Sequence, residues 1–151
     1  VLMLLIICLL FLAPNPTSYE QFKIEILSQI NEIRSKPCNC GGRTMKPVKP
    51  LTWDDALAHS AAKHAIDMEE KNYFDHISKN GRTIGDRADE SGYDWYQVSE
   101  NIAFGQRSID QVVKEWMQSP AHCANIMDPN IKNMGVAKKG NYWVQDFGAK
   151  R

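Results

Sequence analysis

Met134-Gly135-Val136-Ala137-Lys138-Lys139-Gly140-Asn141-Tyr142-Trp143-Val144-Gln145-Asp146-Phe147-Gly148 decides the fold class. Two strand-forming runs, Met134–Ala137 and Tyr142–Phe147, flank Lys139-Gly140-Asn141, which reads as the tight connection of an antiparallel hairpin. Alternation along the second run sends its side chains to both faces of a sheet. Immediately upstream the period changes. Ser108 with Gln111 makes a capping box, and Val112, Val113, Trp116 and Met117 then mark one apolar helix face, with Trp116 as core. Helices and strands without regular βαβ alternation predict an α+β domain, with helices layered around an antiparallel sheet.

Further from the hairpin the helical pattern continues. Ser18 and Gln21 read as a capping box for a helix whose face carries Phe22, Ile26, Ile30 and Ile33, and Lys36-Pro37 ends it. A second helix is predicted from about Thr52, with Trp53, Leu57, Ala61, Ala65 and Met68 on its buried face. His59 and His64 lie on this helix and read as surface or rim residues. Asn80-Gly81 is a turn, and Ile84 to Glu90 a short helix ended by Gly92. Residues 35–50, with three prolines and two glycines, read as a loop inside one domain. Ser99–Ala103 and the stretch before Tyr93 carry no clear strand partner.

The chain has 151 residues, 18 Lys plus Arg and 18 Asp plus Glu, so its formal net charge is zero. No run of basic residues offers a phosphate-binding patch, which excludes nucleic acid as the partner class. Val1 to Leu12 is almost unbroken apolar sequence, closed by Ala13-Pro14-Asn15-Pro16. A membrane-spanning helix needs about 20 apolar residues, so this run reads instead as the core of a secretory signal peptide, truncated at its start. Residues 1–17 are accordingly assigned to the leader and 18–151 to a single domain, with no transmembrane span in the mature protein and a secreted or extracytoplasmic location. Removing the leader leaves Cys38, Cys40 and Cys123. As metal ligands, Cys38 and Cys40 lack the usual two-residue spacing. A bridge between them has poor geometry. The expected disulfide joins Cys123 to Cys40, or to Cys38 in its place; the glycines after Cys40 let its loop bend.

Two histidines and a glutamate sit beside apolar or aromatic residues in Tyr73-Phe74-Asp75-His76, Ser99-Glu100-Asn101-Ile102-Ala103 and Ser119-Pro120-Ala121-His122-Cys123-Ala124-Asn125-Ile126. Imidazoles and a carboxylate against apolar walls suit divalent-metal binding or proton transfer. Equally, they suit a hydrogen-bonded brace. With Tyr142–Gly148, these segments in this order resemble the CAP superfamily (cysteine-rich secretory proteins, antigen 5, pathogenesis-related 1), most closely its bacterial members. The resemblance implies a three-layer α-β-α sandwich with a central antiparallel sheet and a cleft between helices and sheet. It also implies that His76, Glu100 and His122 converge in one solvent-reachable cavity that holds a divalent metal, often zinc, with His76 and His122 as ligands and Glu100 orienting one of them. The family's fourth site residue, an acidic one, has no match. Its place falls near Ser119, and Glu115 precedes Trp116 and points elsewhere. Metal affinity is therefore expected to be weak.

Three functions follow as expectations: a secreted binding module for a lipid, a small apolar ligand or an extracellular protein; a metal-dependent hydrolase using His76, Glu100 and His122; and a structural cell-envelope protein with a vestigial cleft. No Gly-x-Ser-x-Gly elbow, His-Glu-x-x-His helix or phosphate loop occurs in the sequence.

Overall fold

The computed structural model describes residues 17–151, so the expectation for the apolar leader lies outside the described residues. The first helix, α1 (Ser18–Arg34), begins one residue earlier than the capping pattern suggests. Thr17, in extended conformation, caps it by accepting from Glu20 N at 3.2 Å, and Ser18 is already helical. The loop after α1 contains a hairpin, β1 (Cys38–Cys40) and β2 (Arg43–Met45), turned by Gly41 and Gly42 at positive φ. Thr52–Trp53, expected to open the second helix, is instead a short strand, β3. Asp54 then caps α2 (Asp55–Lys71), its carboxylate accepting from Ala56 N and Leu57 N. A carboxylate at the cap outcompetes the weak start signal at Thr52. Then α3 spans Ile84–Glu90, as predicted, opened by a Thr83/Asp86 capping box.

The second half supplies β4 (Trp95–Phe104), α4 (Ile109–Gln118), a short α5 (Pro120–Ile126), β5 (Asn133–Lys139) and β6 (Tyr142–Lys150). The main sheet runs β3-β5-β6-β4; both long pairings are antiparallel, and only the two-residue β3 edge is parallel. Among the described residues no helix is long and apolar enough to cross a membrane.

Alternation separates two cores. Trp143 and Phe147 on β6, with Ala103 on β4, face Ile26 and Ile30 of α1, Trp116 of α4 and Ile126 of α5. Tyr142 and Val144, with Ile102, face Ala61, Ala65 and Met68 of α2. Each large apolar side chain buried this way contributes about 1.5–3 kcal/mol. The result is a sheet between two helical layers. Gly135 lets α2 lie directly on β5: a Cβ there would stand 2.0 Å from Ala58 N. On the other face Cys40 and Cys123 form a disulfide with 5.5 Å between Cα atoms, tying β1 to α5. Arg34 joins α1 to the same corner. Its guanidinium, 1% exposed, donates to the carbonyls of Ile126 at 2.6 Å, Asp128 at 3.1 Å and Lys49 at 2.8 Å. Burial pulls its pKa down to about 10.

Candidate functional site

The site grows from β4. Alternation points Glu100 to the α2–α3 face and Asn101 to the α4–α5 face, and β4 is an edge of the main sheet. The Asn125 side chain of α5 covers that edge, donating to Glu100 O at 3.3 Å and Asn101 Oδ1 at 2.9 Å. An edge strand left with unpaired backbone groups invites another chain, so this amide also protects the sheet.

Glu100 is the hub on the inner face. Its side chain is 2% exposed, and so is fully dependent on protein partners. Oε2 accepts from Arg87 Nη2 at 2.6 Å, and Oε1 accepts from His76 Nδ1–H at 2.8 Å. Arg87 also donates from Nη1 to the carbonyls of His76 and Arg82 and to Ser78 Oγ, each at 3.1 Å. One buried guanidinium therefore fixes both the carboxylate and the loop carrying the histidine. The His76 side chain remains 53% exposed. Its hydrogen bond to Glu100 is the main cause that raises its pKa.

A second carboxyl lies opposite. Asp146 is the register partner of Glu100 across β4 and β6 and is wholly buried. Its Oδ2 accepts from Ser60 Oγ of α2 at 2.7 Å, while Oδ1 has no donor among the described residues. Burial, then the charge of Glu100, pushes the Asp146 pKa well above the usual aspartate range. A protonated Asp146 resolves the unpaired oxygen, because it can donate to Glu100. Two charged carboxylates side by side without water would repel.

His64 corrects the sequence expectation of a surface or rim residue: it is fully buried. Nε2–H donates to Asp75 O at 2.9 Å, and Nδ1 accepts a longer bond from Ser78 Oγ at 3.5 Å. That pairing uses the neutral ring, and burial lowers its pKa accordingly. His59, by contrast, is exposed.

His122 comes from the other side of the edge. It lies inside α5, not at a bare junction, and its carbonyl accepts from Asn101 Nδ2 at 3.3 Å. Burial, and then the charge of His76, lower its pKa. His122 thus feels the charge of His76, while only His76 of the two bonds to Glu100. Among the described residues, the group of three metal-type donors within mutual reach is Cys38, Cys40 and Cys123, whose ligand atoms all lie within 4.8 Å of one another. Cys40 and Cys123 are bridged, so that group does not present three thiolates. Aromatic residues precede His76 in the chain. Tyr73, Phe74, Phe104 and Tyr142, with Asn72, line a cavity of about 290 Å³. Phe74 and Phe104 are half exposed, and Phe104 packs edge-on against Tyr142 at 4.8 Å between centroids. Trp116 is core, fully buried.

Arg87, Asp146 and Ser60 are the site residues that sequence reading missed. Arg87 left one trace, an arginine inside a short helix that also has an apolar face. Asp146 left another, a carboxyl in the middle of a buried strand.

Comparison with known proteins agrees with this architecture. The Bacillus subtilis (strain 168) protein YkwD, itself uncharacterized, is 34% identical over 137 residues, which cover 89% of this chain and 50% of that protein. The chain therefore spans about half the length of that relative. An extracellular protein containing an SCP domain from Bacillus anthracis str. Ames superposes with a TM-score of 0.75 at 26% identity, covering 91% of this chain and 45% of that one. NaASP2, solved with Zn2+, shares the fold at a TM-score of 0.61 and 16% identity, over 91% of this chain and 84% of its own. Residues 27–147 match the family model described as CAP, cysteine-rich secretory protein family, and the chain belongs to that family.

Proposed function

We propose that this domain is an extracytoplasmic binding module. The observation that carries the reading is an exposed imidazole, His76, held rigid by the buried Glu100–Arg87 pair, on the same loop whose preceding residues Asn72, Tyr73 and Phe74 line an exposed aromatic cavity. An imidazole whose Nδ1–H is bonded to a carboxylate has its Nε2 free and oriented, which is the arrangement of a metal-ligating histidine. His122 supplies the second imidazole. A divalent ion such as Zn2+ held here would take His76 and His122 as direct ligands, with Glu100 orienting His76, and would act as a Lewis acid or anchor a polar headgroup. Two imidazoles leave open positions, so affinity is weak. The cavity lined by Tyr73, Phe74, Phe104 and Tyr142 takes the apolar part of a small ligand. Its volume, about 290 Å³, suits an acyl segment or a single ring system rather than a folded partner.

Calorimetric titration with Zn2+ tests the metal half. Wild type binds weakly, His76→Ala and His122→Ala each lose binding, and all binding fades below about pH 6 as imidazoles protonate. Unchanged binding in both variants would move the metal elsewhere. A fluorescent apolar probe, titrated against wild type and Phe104→Ser, tests the other half. Zinc-dependent ester or peptide cleavage by wild type, lost in Glu100→Gln, would favour the hydrolase reading instead.

A further inference from the structure

Cys38 and Cys40 occupy alternate positions of β1, so their side chains share one face, and that face meets Cys123 of α5. Their three sulfurs lie within 4.8 Å of one another. Cys38 is free and only half-buried, whereas Cys40 and Cys123 are closed off from solvent. A thiol is therefore held against a disulfide at near-contact distance, with its own access to water. We propose that Cys38, Cys40 and Cys123 form a thiol–disulfide exchange site in which Cys123 is bridged alternately to Cys40 and to Cys38.

The step is balanced within the chain. Cys38 gives its proton to water, and its thiolate attacks Cys123 Sγ. A Cys38–Cys123 bond forms as the Cys40–Cys123 bond breaks, and Cys40 leaves as a thiolate that takes up a proton. No oxidant or reductant is consumed. Attack on Cys40 instead is disfavoured, because residues two apart on one strand stand about 6.6–6.8 Å apart, at the upper limit for a disulfide. Burial raises the Cys38 pKa, so the resting thiol is mostly protonated and exchange is slow at neutral pH.

Exchange has a mechanical consequence. Gly41 packs so closely on Pro120, the first residue of α5, that a Cβ at Gly41 would stand 2.5 Å from Pro120 Cγ. That contact belongs to the Cys40-bridged form. Moving the tether back by two residues of β1 loosens it and shifts α5, which carries His122 next to Cys123.

The test is disulfide mapping of the full chain with Cys8→Ser, which leaves three of the four cysteines. Folded, oxidised protein is incubated at about pH 8.5, where thiolate forms, then quenched in acid with an alkylating agent and digested without reduction. Both Cys40–Cys123 and Cys38–Cys123 peptides should appear, and Cys38→Ser should leave only the first. Cys40→Ser should form Cys38–Cys123, retain no free thiol and melt above Cys123→Ser. A folded Cys40→Ser protein with Cys38 and Cys123 both alkylated overturns the proposal. If Cys40→Ser does not fold, the wild-type map decides: a single Cys40–Cys123 pairing that never changes with incubation also overturns it.

Discussion

The two faces of the main sheet both pack apolar side chains against helices and differ in what else they bury. Toward α1, α4 and α5, Trp143 and Phe147 sit in an apolar core cinched by the Cys40–Cys123 bridge. Toward α2 and α3, beside the apolar patch of Ile102, Tyr142 and Val144, the same strands carry Glu100 and Asp146 into a buried polar chain with Arg87 and Ser60 that surfaces at His76. The apolar face gains from any well-shaped hydrocarbon. The polar face is held by specific partners, and each group removed strands another. This contrast says that the first face makes the domain stable and the second makes it particular.

The contrast breaks most sharply at Arg87. Arg87→Met leaves Glu100 buried without its cation and frees the His76 loop, and should cost about 3–5 kcal/mol in urea unfolding. A loss below about 1 kcal/mol would mean the pair is dispensable, like an exposed one. On the other face, Cys123→Ser opens a bridge between residues 83 apart and should cost about 2–4 kcal/mol, with the His76 pKa measured by NMR unchanged. A moved His76 titration would show that the faces are coupled.

Asp146→Asn sharpens the comparison in the other direction, because here a loss of charge capacity should stabilise. Folded Asp146 keeps its proton, whereas the unfolded chain releases it above about pH 3.9. Stability carried by this group therefore falls as pH rises through that value. The amide cannot ionise and can still donate to Glu100, so the variant should melt a few degrees higher at neutral pH, and the gap should close as the solution is acidified. An equal or lower melting temperature at neutral pH would mean that the proton is not there.

The smallest effect belongs to His76. Its folded pKa is raised, so its ion pair with Glu100 is fully present below the unfolded value of about 6.5 and is lost as pH rises through the folded value. The side chain is more than half exposed, so solvent screening limits the contribution to about 1 kcal/mol or less. Stability of wild type minus His76→Ala, measured by urea unfolding from acid to alkaline pH, should fall across that window and stay flat outside it.

What sequence could reveal divides along the same faces. The apolar face is periodic: Ile26 and Ile30, then Val112, Val113 and Trp116, then Trp143 and Phe147 recur at helical or strand spacing, so helices and hairpin could be read locally. The polar face has no period. Glu100 meets Asp146 only through the β4–β6 register, and Arg87 reaches Glu100 from a separate short helix, so neither pairing is visible before the sheet closes. His64 misled for a related reason. Its helical position borders the apolar stripe, but the Asp75 carbonyl and Ser78 hydroxyl that make it a core residue arrive from the following loop. His76 and His122 stood out as individual residues, and the edge of β4 between them did not.

Gly135 has a consequence for how such a chain can diverge. Every nucleotide change that alters this residue adds a β-carbon where the backbone of Ala58 already stands, and backbone cannot rotate aside as a side chain can. Drift by small steps is closed at this position. A lineage could leave it only by lifting α2 off the sheet, and that helix carries Ser60 and His64, so a change on β5, two strands from the β4 that carries Glu100, would be inherited as a change in the surroundings of His76.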